Sequence, residues 1–199
     1  VLKMNEEELR SFRRSKTAMV FQRFALLPHK TVLQNTIFGL HIQNISEEDA
    51  NKSALRWIER VGLSGYEDKY PQHLSGGMQQ RVGLARALTN DGDILLMDEA
   101  FSALDPLIRK DMQDILLELQ DELHKTVVFI THDLDEALKI GDRIAILKDG
   151  IMDQEGIPAE ILLNPKTKYV KDFVEDVNRA RVIKAKHIMS EINGQDLSG

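Results

Sequence analysis

Asp98 and Glu99 directly follow the apolar run ILLM at 94–97, so two acids sit where a buried strand runs out. In open α/β sheets the carboxyl ends of strands are where ligands bind. Two adjacent acids there can divide labour, one holding a hydrated Mg²⁺ while the other orients or deprotonates a water. The alternative is a strand that simply ends in solvent. His132 repeats the arrangement after the run VVFI at 127–130. If the strands are parallel neighbours, its imidazole comes close to Glu99; otherwise it is a structural hydrogen bonder.

Gln22 follows a third apolar run, 18–21. A glutamine is no base near neutral pH, but its carbonyl oxygen can position a water or complete a metal shell. Ser75, Gly76 and Gly77 open a helix-like stretch, LSGGMQQR at 74–81. Two glycines weaken a helix start, so the backbone there is expected to come close to something. Bare N–H groups at the positive end of a helix make an anion site. An ordinary serine cap with permissive glycines is the plainer reading.

These residues need elements to hold them. Residues 5–14 read as a helix with acids early and bases late, which suits the helix dipole. Ser46 starts another, with Asp49 three positions on; Leu55, Ile58 and Val61 are expected on its buried face, and Gly62 ends it. From Met78 the apolar positions Val82, Ala85 and Leu88 keep helical spacing. Asp105 and Pro106 supply an N-cap and a first-turn proline for a long helix to about Leu123. The runs 94–97 and 127–130 read as strands buried on both faces, as in a parallel sheet. LDEALKI at 134–140 is a short helix, RIAIL at 143–147 a strand, and Asp149-Gly150 a hairpin turn. Two helical segments then flank Asn164-Pro165. The alternation is that of an α/β fold with a largely parallel sheet. Loop 24–29, FALLPH, is apolar yet broken by Pro28, which suits either a contact surface or a locally packed loop.

Composition narrows the function. The 199 residues carry 26 Lys and Arg against 32 Asp and Glu, a net charge of −6 that argues against a broad grip on nucleic acid. With no cysteine, disulfides and thiolate zinc sites are excluded. No apolar run approaches the roughly 20 residues that span a bilayer.

MVFQ, LSGGMQQR, ILLMDE, SALD and VVFITH occur in that order, each at the end of an expected element. The set resembles the nucleotide-binding subunits of ATP-binding cassette (ABC) transporters. Gln22 matches the Q-loop of that family, and Leu74, Ser75, Gly76, Gly77 and Met78 match its signature. Asp98 and Glu99 match the Walker B pair, Ser102 to Asp105 the D-loop, and His132 the switch histidine. The resemblance covers roughly residues 1–178. It implies an α/β fold with a P-loop NTPase-like parallel sheet core and a helical signature subdomain at about 30–90. The core would continue over about 91–155, with C-terminal helices at about 158–178. It further implies ATP and Mg²⁺, with Glu99 and His132 as catalytic residues. Gln22, Ser75, Gly76, Gly77, Met78, Asp98 and Asp105 would be nucleotide-binding, and Gln22 and Asp98 would be metal-binding, the latter through water. The implied partners are a second ATPase subunit in a head-to-tail dimer, permease subunits docking near Phe24 and His29, and indirectly a substrate-binding protein. The implied location is the cytoplasmic face of the plasma membrane, reached through the permease.

Met78, FALLPHKTVLQNT and DEAFSALDPLIR resemble the glycine betaine/proline (quaternary amine) importer branch, whose ATPase core is commonly followed by CBS domains. Residues 179–199 are expected to be a linker and the entry to such a domain. The rival readings are a non-catalytic ABC fragment and a permease-free ABC ATPase of the repair or translation type; the coiled-coil or tandem insertions of the latter are not visible here.

One departure is large: no G-x-x-x-x-G-K-[ST] occurs in the 199 residues. The phosphate cradle of P-loop enzymes needs that loop for its backbone amides and its lysine. The sequence is therefore expected to be N-terminally truncated, a fragment whose activity depends on the missing loop. We expect the 199-residue polypeptide alone neither to bind ATP tightly nor to hydrolyse it. Micromolar affinity in a nucleotide titration, with Mg-dependent turnover, would overturn this.

Overall fold

The computed structural model describes residues 3–22, 25–102, 104–123 and 125–175. The linker expected at 179–199 lies outside them. The chain forms two compact units, one ending at Thr131 and the other beginning at His132.

The first unit opens with α1 (Glu6–Ser15), started by a reciprocal capping box between Asn5 and Glu8, and leads into β1 (Thr17–Val20). Short helices α2 (Val32–Thr36) and α3 (Phe38–Ile42) precede α4 (Glu47–Arg60), which Ser46 caps. A 3₁₀ turn at Pro71–His73 introduces α5 (Gly76–Thr89), and then come β2 (Ile94–Asp98), α6 (Pro106–Leu123) and β3 (Thr126–Ile130). The three strands pair in parallel in the order β1-β2-β3, with Ala18, Leu95 and Val127 in one row and Val20, Met97 and Phe129 in another.

That register sorts the side chains by face. Ala18, Val20, Leu95 and Met97 are buried, and Phe129 meets Phe101 with ring centroids 5.4 Å apart. The opposite face is open, and this corrects the expectation of strands covered on both sides. Val128 is 47% and Ile130 57% exposed, beside Met19 at 37%. β3 has β2 as its only paired neighbour among the described residues, so its burial alternates as at a sheet margin instead of running unbroken. At the strand starts, Lys16 reaches Asp93 at 2.9 Å and Lys125 reaches Asp91 at 2.7 Å. The first ion pair raises the Lys16 pKa and lowers that of Asp93. It is solvent-exposed and therefore worth little to stability.

The helical layer is built on α5, whose Val82, Leu84, Ala85 and Leu88 are buried and which packs against α2 and α4. In α4 the buried face is Ala50, Ala54, Trp57 and Ile58, continued by Val61. Leu55, expected there, is 45% exposed. It lies about 100° round the helix from Ala54, and the two alanines at i, i+4 let the neighbouring helices approach. Gly62 takes φ +71° and ends the helix as expected.

The second unit holds α7 (Leu134–Ile140), β4 (Ile144–Lys148), β5 (Ile151–Gly156), α8 (Pro158–Leu163) and α9 (Lys168–Val174). The expected hairpin is present: β4 and β5 pair antiparallel around Asp149 and Gly150, both with positive φ. The strand read from RIAIL thus belongs to a two-stranded antiparallel sheet. Leu134, Leu138, Ile144, Ile146, Ile161, Leu162, Val170 and Val174 form its core. Among the described residues no helix is long and apolar enough to cross a membrane.

Candidate functional site

Parallel pairing puts the C-terminal ends of β1 and β2 on the same side of the sheet, and the site grows from that fact. Gln22 follows β1, and its Nε2 donates to Glu99 Oε2 at 2.7 Å. A carboxylate accepts only, so this contact fixes which side of the amide faces it. The same Nε2 lies 3.5 Å from Ser102 Oγ, and that hydroxyl donates to the Glu99 carbonyl at 2.9 Å. Glu99 itself has φ +43°. For a residue with a Cβ this left-handed geometry costs about 1–2 kcal/mol. Donation from its N–H to the Ile130 carbonyl at 2.9 Å, with the Ser102 hydrogen bonds, holds it there. The turn swings the Glu99 carboxylate out of the strand direction and toward Gln22, where it can orient a water or take its proton.

Asp98 is the last residue of β2, paired with Ile130 and half-buried. Among the described residues no group of three or more His, Cys, Asp or Glu gathers to hold a metal. A single strand-end carboxylate such as Asp98 is compatible with Mg²⁺, which keeps several waters and completes its shell with substrate phosphates.

At the start of α5 the Ser75 hydroxyl accepts from the Met78 N–H at 3.3 Å. Gln79 Nε2 donates to the Pro71 and Leu74 carbonyls at 3.1 and 3.2 Å, bracing the turn in front of the helix. Ser75 and Gly76 are exposed, Met78 is half-buried and Gly77 is buried. For Gly77 the structure supplies a reason that the sequence did not: a Cβ there would lie 2.5 Å from Ile108 Cγ2 on α6. Its missing side chain lets α5 and α6 pack, while the exposed backbone of Ser75 and Gly76 remains open to an anion. Asp105 caps α6, its Oδ1 accepting from the Leu107 and Ile108 N–H groups at 3.2 Å each. His132 is exposed and is the first residue of the second unit, so the expected closeness to Glu99 concerns two separately described bodies.

Two polar residues near the site were not foreseen. Asn35 is fully buried and takes the Leu27 N–H at 2.8 Å, while its Nδ2 serves the carbonyls of Leu27, Lys30 and Thr31. Arg86, on α5, donates from Nη1 to the Ala25 carbonyl at 2.7 Å. A charged residue inside the apolar stretch GLARAL was the available signal for Arg86. For Asn35 there was none, since its partners are loop carbonyls.

The comparisons with known proteins agree with the geometry. A family model described as ABC transporter matches residues 2–102. The chain is similar to the glycine betaine transport ATP-binding protein OpuAA of Bacillus subtilis, 61% identical over 189 residues, covering 95% of this chain and 45% of that protein. It is also similar to the glycine betaine/proline betaine transport system ATP-binding protein ProV of Escherichia coli, 56% identical over 188 residues, covering 94% and 47%. The chain spans about half the length of these curated relatives. Among solved structures, a dimeric bacterial ABC transporter cassette matches with a TM-score of 0.69 and 38% identity, over 78% of this chain and 68% of that one. The same cassette, solved as a dimer in a post-hydrolysis state with ADP and Pi, matches equally.

The Gly77 contact can be tested by packing alone. Gly77→Ala gains up to about 1 kcal/mol of helix propensity but meets Ile108, and overpacking costs about 1–3 kcal/mol. Urea unfolding should therefore show net destabilisation, relieved when Ile108→Ala is added. An additive double variant would refute the contact.

Proposed function

Because this chain belongs to the ABC transporter family, we propose that it works as part of the ATP-binding, ATP-hydrolysing subunit that powers an importer of glycine betaine, proline or related quaternary amines. The observation that carries the reading is the hydrogen bond between Gln22 and Glu99 at the ends of adjacent parallel strands. A water-positioning amide and a carboxylate meet there, where phosphoryl transfer needs placement more than covalent chemistry. Support for the substrate class comes from relatives whose names specify glycine betaine or proline betaine transport.

In this reading Glu99 receives the proton of the attacking water, or orients it, from the position its left-handed turn imposes. Gln22 supports that carboxylate through its amide N–H. Asp98 and the Gln22 carbonyl oxygen would hold Mg²⁺, which would supply charge neutralisation at the phosphates. The Ser75 hydroxyl and the N–H groups of Gly76 and Gly77, with Met78 beside them, donate to the γ-phosphate of a nucleotide held by a second subunit, at the positive end of α5. For His132 the family resemblance supports a role in orienting the attacking water. Asp105, which caps α6 here, faces the partner subunit in a head-to-tail dimer.

The helical layer about 30–90 serves as the signature subdomain, 91–155 as the rest of the core, and α8 and α9 as C-terminal helices; of the expected C-terminal segment, 176–178 lie outside the described residues. The subunit sits peripherally at the cytoplasmic membrane face, held by permease subunits that land near loop 24–29. In that loop Ala25, Pro28 and His29 are exposed and Leu26 and Leu27 half-buried, a surface suited to an apolar contact. A substrate-binding protein is an indirect partner, and nucleic acid is not one.

Two measurements on the full-length subunit test this. Glu99→Gln should lower ATP turnover by at least about a hundredfold, the scale of a lost general base, and still dimerise with ATP. Normal turnover would remove Glu99 from its role. In the assembled transporter, His29→Glu should reduce solute uptake while ATPase activity persists. Equal loss of both would move the permease contact elsewhere.

A further inference from the structure

α5 carries Ser75 at its start and Arg86 near its end. Arg86 Nη1 meets the carbonyl of Ala25, three residues past Gln22, at 2.7 Å. Ala25 has φ +46°, a left-handed conformation that an alanine adopts only when something holds it. Burial pushes the Arg86 pKa down, the mark of a cation drawn out of water. A charge in that position costs free energy unless its hydrogen bonds are made.

A second pin lies two residues on, where Asn35 of α2 binds Leu27 through both its N–H and its carbonyl, at 2.8 and 3.1 Å. The loop is thus fastened to the helical layer at Ala25 and Leu27. On its other side it is fastened to the sheet at Val20, which pairs with Met97. Gln22 lies in the short span between, with its amide on Glu99. Gln22 stands only three positions before Ala25 in the chain, so the placement of Ala25 by α5 bears on where Gln22 meets the carboxylate.

We propose that Arg86 is a positioning residue for hydrolysis: through Ala25 it sets where Gln22 meets Glu99, and it thereby couples the Ser75 end of α5 to the carboxylates at the strand ends. The proposal rests on the reading of Glu99 as the hydrolytic carboxylate. An anion engaging the α5 N-terminus moves a stiff helix as one body, and the guanidinium passes that movement to the loop. Nothing in this requires Arg86 to touch nucleotide.

The test uses the full-length subunit with two readouts, amide hydrogen exchange over residues 25–30 and steady-state ATPase kinetics. Arg86→Ala should raise exchange in that loop and lower kcat about tenfold or more, as ångström-scale misplacement does, with KM for ATP changed less than about twofold. Arg86→Lys, which keeps a cation and a donor, should fall between Ala and wild type in both readouts together. Wild-type exchange in Arg86→Ala overturns the tether. Loss shared by kcat and KM, with Arg86→Lys no better than Arg86→Ala, overturns the positioning role. If Arg86→Ala does not fold, Arg86→Lys decides: raised exchange with lowered kcat supports the proposal, and wild-type exchange with lowered kcat refutes it. A wild-type subunit without ATPase activity would sink the hydrolytic reading, while exchange would still report on the tether.

Discussion

The parallel register of β1, β2 and β3 is the constraint on which the site depends. It sets Val20, Met97 and Phe129 in one row, so the chain leaves all three strands on the same side. From there the geometry is forced: Gln22 leaves β1, Glu99 leaves β2, and the Glu99 N–H is caught by the last carbonyl of β3. A shift of one residue would turn Val20 and Met97 to the open face and carry Glu99 away from Gln22. Burial of the Ala18, Val20, Leu95 and Met97 face therefore specifies the site as much as it stabilises the sheet.

The helical layer does a different task. Its apolar packing would be satisfied by many arrangements of α2, α4 and α5, because dispersion and hydrophobic burial have little directionality. Asn35 and Arg86 remove that freedom. Each directs hydrogen bonds to backbone carbonyls of one loop. A buried polar group such as Asn35 that misses its partner costs about 1–3 kcal/mol, and the half-buried Arg86 adds a charge-assisted bond. Such groups penalise alternative placements of the loop, and the loop carries Gln22.

The open face of the sheet sets the balance of the first unit. Parallel sheets are ordinarily covered on both faces, yet Met19, Val128 and Ile130 stay exposed here and Leu96 is only half-buried. The side that is covered supports the site, and the other side presents exposed apolar residues on β3, which pairs with β2 alone among the described residues. The same strand therefore holds Glu99 in place through its Ile130 carbonyl and exposes the Ile130 side chain.

The sequence by itself determined the longer elements and the identity of the chemistry-bearing residues, though not the short helices α2 and α3. Asn5, Ser46, Ser75 and Asp105 each cap a helix as their side chains dictate, and Gly62 and Asp149-Gly150 turn the chain where positive φ is needed. These signals act within a few residues, so they survive in a one-dimensional reading. Tertiary structure decided the rest. Gln22 meets Glu99 across 77 positions and Arg86 meets Ala25 across 61. Gly77 is a glycine because Ile108 occupies the space its Cβ would need, and Leu55 is exposed because Ala50 and Ala54 take the close contacts of α4. Pattern and capping are written in neighbouring residues, but a left-handed glutamate, a tethered loop and a half-covered sheet arise only when distant segments compete for the same space and the same hydrogen bonds.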